Sequence, residues 1–464
     1  MSSLNKFFAK GNEHLSSILQ SAREGNLCLK IPNGPSIAEG IVKDQDRYYL
    51  QKDWVYETHI VEHVKRLQKI QVEISGEVLD RIEKDEKLSI EQREVASHLY
   101  KHAFSILCGG PGTGKTHTAA CFVKHFTSGK VIVSAPTGKA AIHLQSKIGS
   151  HCEAMTLHRL LRLKPCETRL FSKRRIDADL VIVDEASMID VTLFAHLLEA
   201  VGDQTRLILM GDPNQLPPID AGSVFSSLSE LFGIHLKTCM RTEDAHLQQA
   251  AQAILSGDEE KFFATVQRSE DFDLIYDRIK PVISPQKIDP PKMHLACLNA
   301  LRQGPYGLEA LNRKILEKMD QQCPDSWWWT IPIIVSANLP SLNLYNGSTG
   351  FLIGQKDKKI NLTSGTAYFP EIGELKNIPP FELAFVISIH KSQGSEYDEV
   401  IALFPEGSET FGKEALYTAA TRAKKRWEII GKKEIFCQML SKKSFRLSGL
   451  KERLFDSVPT IASF

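Results

Sequence analysis

The sequence lacks several patterns that would assign it to a specialised class of protein. Its nine cysteines are scattered and odd in number, with no C-x-x-C spacing, so they indicate neither a zinc ribbon nor a disulfide framework. It has no run of about 18 apolar residues that could span a membrane. Its N-terminus has no apolar core of the signal-peptide type. These absences predict a cytoplasmic protein with reduced thiols and no membrane partner.

The sequence also lacks a strong charge of either sign. The formal net charge is +1, which excludes a globally basic binder of polyanions but allows a basic groove on a neutral molecule. At 464 residues, the chain is long enough for several hydrophobic cores, so we expect more than one domain.

What the sequence does have is a glycine-rich segment that fits G-x-x-x-x-G-K-[ST]. A strand-like run, Phe104–Cys108, precedes it and a helical pattern, Thr118–Val123, follows it, which is the context that this motif requires. The glycines let backbone N–H groups surround a phosphate at a helix N-terminus. We expect Lys115 to reach the β- and γ-phosphates and Thr116 to ligate Mg²⁺. The expected loop residues are Gly109, Gly110, Pro111, Gly112, Thr113, Gly114, Lys115 and Thr116.

Two further apolar runs end in polar side chains. Leu180–Val183 is followed by Asp184 and Glu185, at the carboxyl end of a strand, where open α/β sheets bind ligands. Two acids in that position are costly without a cation. We expect Asp184 to hold Mg²⁺ through water and Glu185 to orient the attacking water. Gln215 follows the run Leu207–Met210 and could sense the γ-phosphate at the same edge.

Two residues admit both a structural and a functional interpretation. The spacing of Ser89 and Gln92 predicts a capping box at a helix start, while the Gln92 amide could also read the edge of an adenine; the two roles are compatible. Arg422 lies in a helical pattern, where it either forms a salt bridge or supplies positive charge to a γ-phosphate.

The order of these elements predicts an α/β protein with a P-loop ATPase core. The region before it contains apolar helical stripes and aromatic residues, and is either a cap on the next domain or a docking surface for another protein. A later block has short β-type runs around Asn346-Gly347, a hairpin signal. Trp327–Trp329 precedes those runs and either packs between domains or stacks on bases. The aromatic residues of the first region include Phe7, Phe8, Tyr48, Tyr49 and Trp54.

We expect five regions along the chain. They are a helical region at 1–80, a first ATPase domain at 81–222, the first part of a second domain at 223–326, an all-β insertion at 327–385, and the remainder of the second domain at 386–464. A basic segment at about 163–178 is either a small hairpin or a solvated loop.

Taken in order, these motifs resemble those of the RecD-like branch of the superfamily 1 helicases. Three further segments are similar to the RecD subunit of exodeoxyribonuclease V: Tyr48–Leu50, Gln303–Asn312 and Ser448–Leu450. Gly211–Pro218 instead looks like the stand-alone members of the branch. The segments that carry the helicase resemblance are Gly109–Thr116, Ser134–Ala141, Thr156–Leu161, Asp184–Met188, Gly211–Pro218, the segment at Arg241, Ser388–Asp398 and Tyr417–Lys425.

The resemblance implies two RecA-like P-loop domains that close on ATP, a small helical N-terminal domain and a small SH3-like all-β insertion. It implies catalytic roles for Arg241 and Arg422, and contact of Glu396 with the ribose. Contacts with a single DNA strand would be mostly to its phosphates, so binding would tolerate any base sequence. For His158, a purely structural role at a helix start is the alternative. The residues on segments that line the DNA strand in this family are Thr137, Thr156, His158, Asn346 and His390.

The expected function is that of an ATP-dependent 5′–3′ helicase that uses ATP and Mg²⁺ on single-stranded DNA and duplex ends. The resemblance implies that it works with RecB-like and RecC-like subunits in double-strand break repair, with the nuclease on a partner. One alternative is a stand-alone RecD-like helicase. The other is an ATP-gated DNA-binding scaffold subunit that does not unwind.

Overall fold

A computed structural model describes residues 13–32, 40–126, 129–149, 152–163, 174–240, 245–283, 294–442 and 446–455. The helices in these ranges are α1 (Glu13–Arg23), α2 (Gln51–Gln68), α3 (Gly76–Glu83), α4 (Ile90–Lys101), α5 (Lys115–His125), α6 (Gly138–Ile148), α7 (Leu157–Leu160), α8 (Val191–Ala200), α9 (Val224–Phe232), α10 (Ala245–Ser256), α11 (Glu259–Ala264), α12 (Leu274–Ile283), α13 (Leu308–Gln322), α14 (Gly412–Ala420), α15 (Lys433–Ser441) and α16 (Leu450–Phe455).

The strands in the same ranges are β1 (Cys28–Lys30), β2 (Ile41–Asp44), β3 (Arg47–Leu50), β4 (Phe104–Gly109), β5 (Val131–Ala135), β6 (Glu153–Thr156), β7 (Leu180–Val183), β8 (Arg206–Gly211), β9 (Gly233–Leu236), β10 (Gln267–Ser269), β11 (Leu295–Asn299), β12 (Trp328–Val335), β13 (Thr349–Gln355), β14 (Thr366–Phe369), β15 (Gly373–Leu375), β16 (Phe381–Leu383), β17 (Val386–Ser388), β18 (Tyr397–Leu403) and β19 (Ala423–Ile430).

The chain divides into two compact units. The first comprises Met1–Pro213, Pro217–Met240 and Phe445–Phe464; the second comprises Asn214–Leu216 and Arg241–Ser444. The first unit therefore extends past the expected boundary at 222, because β9 adds a further parallel strand beside β4. The described residues 446–455 belong to the first unit, whereas we expected 386–464 to complete the second domain.

The first unit is built on a six-stranded parallel sheet with the order β6-β5-β7-β8-β4-β9. Strands β4, β5, β7 and β8 are buried along almost their whole length because both faces of the sheet are covered there, whereas the edge strands β6 and β9 are partly exposed. Along β7, Val181 and Val183 enter the core on one face, while Leu180 and Ile182 enter the core on the other. The sequence-based prediction of a parallel α/β core is confirmed.

Helix α2, from the N-terminal region, covers one face of this sheet. Ile60, Val64 and Leu67 are fully buried and belong to the same core as β7 and α8. The Arg66 guanidinium donates hydrogen bonds to the carbonyls of Leu198 and Val201 at the end of α8 (3.2 and 2.7 Å), where a cation is favoured by the helix dipole. This part of the chain is a layer of the first unit.

We expected a helical region at residues 1–80, and the described part of it contains three short strands besides its helices. β1, β2 and β3 form a three-stranded antiparallel sheet with the order β1-β3-β2. The turn between β2 and β3 places Gln45 at φ 55°, between two aspartates of the kind that favour tight turns. Tyr48 and Tyr49 lie in β3 and are buried, as β-favouring aromatic residues commonly are. Phe7 and Phe8 lie outside the described residues.

The second unit contains a five-stranded parallel sheet with the order β10-β19-β18-β11-β17. The block expected to be an all-β insertion contains a separate antiparallel sheet with the order β15-β14-β13-β12-β16. β12 and β13 pair as a hairpin, although the loop between them is longer than a two-residue turn. Gly347 in that loop has φ +94°, and its N–H donates to the Val335 carbonyl (2.9 Å).

The three consecutive tryptophans have different environments. Trp329 is fully buried within the antiparallel sheet, while Trp327 and Trp328 remain 59% and 46% exposed. Trp329 therefore packs inside its own sheet, which neither of the two sequence-based interpretations described, and stacking of Trp327 or Trp328 on bases remains a prediction. In the described part of the chain, no helix combines the length and the apolar composition needed to cross a membrane.

Candidate nucleotide-binding site

The glycine-rich loop joins β4 to α5 in the first unit. Gly112 and Gly114 have φ values of +77° and +87°, in the left-handed region that favours glycine. Gly109 has another constraint, because a Cβ at this position would lie 2.5 Å from Thr113 Oγ1. The Thr113 hydroxyl donates to the Gly110 carbonyl (2.8 Å). The loop thus has the tight conformation that the motif predicts.

Lys115 begins α5 and folds back over the loop. Its Nζ donates hydrogen bonds to the carbonyls of Gly109 (2.5 Å) and Gly110 (3.1 Å). These bonds hold the ammonium at the loop, within the positive end of the α5 dipole. A phosphate at this position would meet both charges, which is the arrangement used in anion sites at helix N-termini.

Asp184 and Glu185 follow β7 at its carboxyl end. The Asp184 carboxylate accepts a hydrogen bond from the Glu185 N–H (2.9 Å). Burial raises the pKa of Asp184, while the Lys115 ammonium and the Glu185 N–H oppose that increase. Glu185 has φ 52°, an uncommon conformation for a residue other than glycine that is often found at functional sites.

Thr116 and Asp184 are the residues that fit a bound Mg²⁺. Their hydroxyl and carboxylate oxygens are the hard donors that this ion prefers, and phosphates and waters usually complete its coordination. Asp184 also has the electrostatic character of a metal ligand, because its ionised form is disfavoured by burial and a cation would stabilise it. Within the described ranges, no group of three or more His, Cys, Asp or Glu side chains is placed to hold a metal.

Gln92 forms the capping box that the sequence predicts. Ser89 Oγ accepts from the Gln92 N–H (3.2 Å), and Gln92 Oε1 accepts from the Ser89 N–H (3.1 Å). The same side chain also lies against the phosphate loop, because a Cβ on Gly114 would be 2.4 Å from Gln92 Nε2. Gln92 therefore caps α4 and contacts the loop at once; contact with an adenine remains a prediction.

Gln215 follows β8, as expected, but Asn214–Leu216 belongs to the second unit. Within that unit the Leu216 N–H donates to Thr418 Oγ1 (2.8 Å), and Gln393 Nε2 donates to the Leu216 carbonyl (3.2 Å). Gln215 is 6% exposed, and its Oε1 has no hydrogen-bond partner among the described residues. Its role as a sensor of the γ-phosphate remains a prediction.

Arg422 lies just after α14 and is 3% exposed. Its guanidinium donates to the carbonyls of Thr418 and Ser395 (both 3.2 Å). Both acceptors are neutral carbonyl oxygens, whereas the structural interpretation of the sequence expected a salt bridge. Glu396 is exposed, with one carboxylate oxygen 3.7 Å from Lys424 Nζ. Arg241 lies outside the described residues.

Three of the residues expected to face DNA lie together in the first unit. Thr137 and Thr156 are the N-caps of α6 and α7, accepting from the N–H groups of Ala140 and Arg159 (both 3.3 Å). They come at the carboxyl ends of the paired strands β5 and β6, where Ala135 is the register partner of Thr156. His158 is exposed on α7.

The other two lie in the second unit. Asn346 is exposed in the loop between β12 and β13, and its N–H donates to Asn338 Oδ1 (2.9 Å). His390 is half-buried at the start of a short 3₁₀ turn, with its ring 6.4 Å from that of Phe411. Most of the basic segment at about 163–178 lies outside the described residues, so its conformation remains a prediction.

Sequence reasoning missed Glu91, next to Gln92. Its carboxylate accepts hydrogen bonds from the N–H groups of Lys237 and Thr238 (2.7 and 3.2 Å). An acid in the first turn of a helix is ordinarily explained by the helix dipole, so the local pattern gave no signal of this distant contact.

Two segments that resemble RecD subunits meet in one buried cluster of the first unit. Glu57 is fully buried and accepts hydrogen bonds from Tyr49 Oη, Gly449 N–H and Arg453 Nη1 (all 3.1 Å). The Arg453 guanidinium lies 3.9 Å from the ring centroid of Trp54. These residues therefore join the N-terminal region to α16.

The parallel sheet, the glycine-rich loop and the acids after β7 define a P-loop nucleoside triphosphatase. Residues 87–276 match the family model of an AAA domain, and residues 383–429 match that of a UvrD-like helicase C-terminal domain.

Similar proteins narrow the class of P-loop nucleoside triphosphatases to which this chain belongs. The RecD subunit of the RecBCD enzyme from Mycolicibacterium smegmatis is 32% identical, over 88% of this chain and 82% of that subunit. The ATP-dependent RecD2 DNA helicase of Deinococcus radiodurans is 28% identical, over 73% of this chain and 48% of that protein. A structure of Bacteroides Pif1 bound to single-stranded DNA covers 76% of this chain and 94% of its own, with 18% identity and a TM-score of 0.48. The chain belongs to the RecD-like family of superfamily 1 helicases and is an ATP-dependent DNA helicase.

Proposed function

We propose that this chain is the RecD subunit of a RecBCD-type helicase–nuclease and moves 5′ to 3′ on single-stranded DNA during the repair of double-strand breaks. The observation that carries the proposal is its 32% identity to a RecD subunit over most of both chains. Its identity to the ATP-dependent RecD2 DNA helicase is lower, at 28%, and covers 48% of that protein. RecB-like and RecC-like chains are the proposed partners, and the cytoplasm is the proposed location.

In the proposed reaction, Lys115 leaves the carbonyls of Gly109 and Gly110 and binds the β- and γ-phosphates of ATP. Glu185 orients the attacking water, and Gln215 senses the γ-phosphate. Arg241 and Arg422 stabilise the charge that develops on the transferred group. A Mg²⁺ held by Thr116 and Asp184 would neutralise phosphate charge when bound.

Further contacts are proposed for the nucleotide and the strand. Gln92 reads the adenine edge and Glu396 meets the ribose. Side-chain hydroxyls, rings and amides contact the DNA backbone, so that binding tolerates any sequence. We also propose that the antiparallel sheet of the second unit is the family's SH3-like insertion. The DNA contacts are assigned to Thr137, Thr156, His158, Asn346 and His390.

The burial of Tyr48, Tyr49 and Glu57 within the first unit bears on where the partners bind. These residues are already covered by their own chain, which supports a cap role for this part of the N-terminal region, and we propose that the partners bind to another surface of the molecule.

Strand displacement on tailed duplexes tests the enzymatic part of the proposal. We expect ATP-dependent unwinding of a duplex with a 5′ single-stranded tail and much less of one with a 3′ tail. Unwinding from the 3′ tail alone would contradict the proposed polarity. ATP hydrolysis without any unwinding would favour the ATP-gated scaffold subunit.

Co-purification from the native cell, followed by mass spectrometry, tests the partners. RecB-like and RecC-like chains should be recovered in equal amounts with this chain. Their absence under mild conditions, with helicase activity retained, would favour a stand-alone helicase.

A further inference from the structure

The first turn of α4 contacts the phosphate loop by two routes. The direct route is Gln92, whose amide lies against Gly114. The second route begins at Glu91, whose carboxylate oxygens accept the N–H groups of Lys237 (2.7 Å) and Thr238 (3.2 Å). These partners are 146 and 147 positions away along the chain, so the contact belongs to the tertiary fold.

The segment that Glu91 holds runs beside the phosphate loop. It continues β9, whose Leu236 is the register partner of Gly109 at the end of β4. Two residues after Thr238, the Met240 N–H donates to the Gly112 carbonyl (2.9 Å). The Cys239 thiol lies 3.7 Å from the Pro111 carbonyl. Lys237–Met240 therefore contacts the phosphate loop through Cys239 and Met240.

We propose that Glu91 is a positioning residue for nucleotide binding, which fixes the phosphate loop through the segment Lys237–Met240. It does not touch the nucleotide. By holding two N–H groups of that segment, it keeps the Met240 N–H on Gly112, whose left-handed conformation sets the curvature of the loop. A loop ordered in advance loses less conformational entropy when the triphosphate binds.

A simpler role for Glu91 is to place a negative charge at the N-terminus of α4. The geometry favours the bracing role, since both carboxylate oxygens point to N–H groups outside the helix. The Lys237 N–H is also the main reason that the pKa of Glu91 lies below its usual value. The two roles predict different results for nucleotide affinity, because helix stabilisation alone would leave the loop braced.

The test compares Glu91→Ala and Glu91→Gln with Glu94→Ala and Glu94→Gln, two matched changes at an exposed acid of the same helix. The affinity for a fluorescent ATP analogue is measured without DNA, together with the steady-state ATPase and the hydrogen exchange of Lys237–Met240. Glu91→Ala should weaken nucleotide binding about three- to tenfold, the effect of about one ordinary hydrogen bond. KM should rise while kcat changes less than about twofold, the pattern of lost ground-state binding.

Glu91→Gln should be intermediate, because its amide oxygen can still accept the Lys237 N–H but its NH₂ cannot accept from Thr238. The amide of Met240 should exchange faster in both Glu91 variants, and neither Glu94 variant should differ from the wild type. The inference rests on the nucleotide binding proposed above, and Lys115→Gln separates the two. A wild-type protein that binds no more analogue than Lys115→Gln would defeat the proposed function. Normal analogue affinity and Met240 exchange in both Glu91 variants would overturn only the role of Glu91.

Discussion

At the scale of single residues, the candidate site depends on opposed charges in a partly dry environment. Burial raises the pKa of Asp184, and the Lys115 ammonium limits that increase. Each charge therefore makes the other less costly until phosphates and a cation arrive. We therefore expect substitutions in this site to affect nucleotide binding and hydrolysis differently, according to whether the residue meets the phosphates or the attacking water.

Lys115→Gln should weaken ATP binding and turnover together. The Lys115 ammonium, whose positive charge acts on the transferred phosphoryl group, is lost in both the ground and transition states. Glu185→Gln should instead retain ATP binding and lose turnover by orders of magnitude, since only the orientation of water is affected. DNA-stimulated ATPase and equilibrium binding measure the two effects. The control is Lys124→Gln, an exposed lysine of the same helix. Near wild-type turnover in either site variant would contradict these roles.

Arg422→Ala should lower kcat roughly 10³-fold and leave ATP affinity within about a few-fold, because an arginine on the γ-phosphate acts on transition-state charge. The bonds from Arg422 to the Thr418 and Ser395 carbonyls add a structural cost, so the melting temperature is measured on the same samples. Arg426→Ala is an exposed control. If kcat per folded molecule is unchanged, Arg422 only anchors its helix.

Asp53→Asn should stabilise the protein at neutral pH. Asp53 is 2% exposed, its Oδ2 has no hydrogen-bond partner among the described residues, and burial raises its pKa from 3.8 to about 6. A folded-state pKa above the unfolded value means that stability falls as the pH rises from about 4 to about 6, and stays lower above that range. The asparagine carries no charge and avoids this loss.

The expected gain from Asp53→Asn is about 1–3 kcal/mol at pH 8 and close to zero below pH 4, the scale of a shift of about two pKa units. Urea denaturation at several pH values measures it. Asp80→Asn, at an exposed position on α3, should show no such pH dependence. A variant that is equally less stable at all pH values would mean that Asp53 has a stabilising partner.

At the scale of elements, α2 acts as a structural layer of the first unit. Leu67→Ala should lower the free energy of unfolding by about 2–5 kcal/mol, the range for truncating a fully buried leucine. Glu62→Ala, on the exposed side of the same helix, should change it by less than about 0.5 kcal/mol. The urea midpoint measures both. Equal midpoints for the two variants would mean that α2 detaches from the sheet without cost.

The same elements explain how far the sequence could be interpreted. β4, β5, β7 and β8 were predictable because their apolar runs are buried on both faces, and the capping box of α4 because its residues are three apart. β1 to β3 were not, since strands of three or four residues are too short to show periodicity. The partners Glu57 and Gly449 are 392 positions apart, a distance over which local patterns carry no information.

At the scale of the whole molecule, a chain of net charge +1 is proposed to hold a polyanion. Its affinity must therefore depend on local contacts with phosphates, and each phosphate that a basic side chain neutralises releases counterions. The expected contacts lie at strand ends and loops of both units, in Thr137, Thr156 and Asn346 among others. Their hydroxyl and amide groups favour a strand whose phosphates are accessible over one whose bases must be read.

DNA affinity should accordingly be highest for single strands and duplexes with a free 5′ tail, with little preference for base sequence. If basic side chains neutralise about five phosphates, affinity should fall about a hundredfold between about 50 and about 200 mM salt, because each neutralised phosphate of single-stranded DNA adds about 0.7 to the logarithmic slope. Fluorescence anisotropy over a salt series, on tailed and blunt duplexes of equal length, measures both properties. A flat salt dependence would exclude binding through phosphates. Tighter binding to the blunt duplex than to the tailed one would place recognition at the duplex end instead of along the strand.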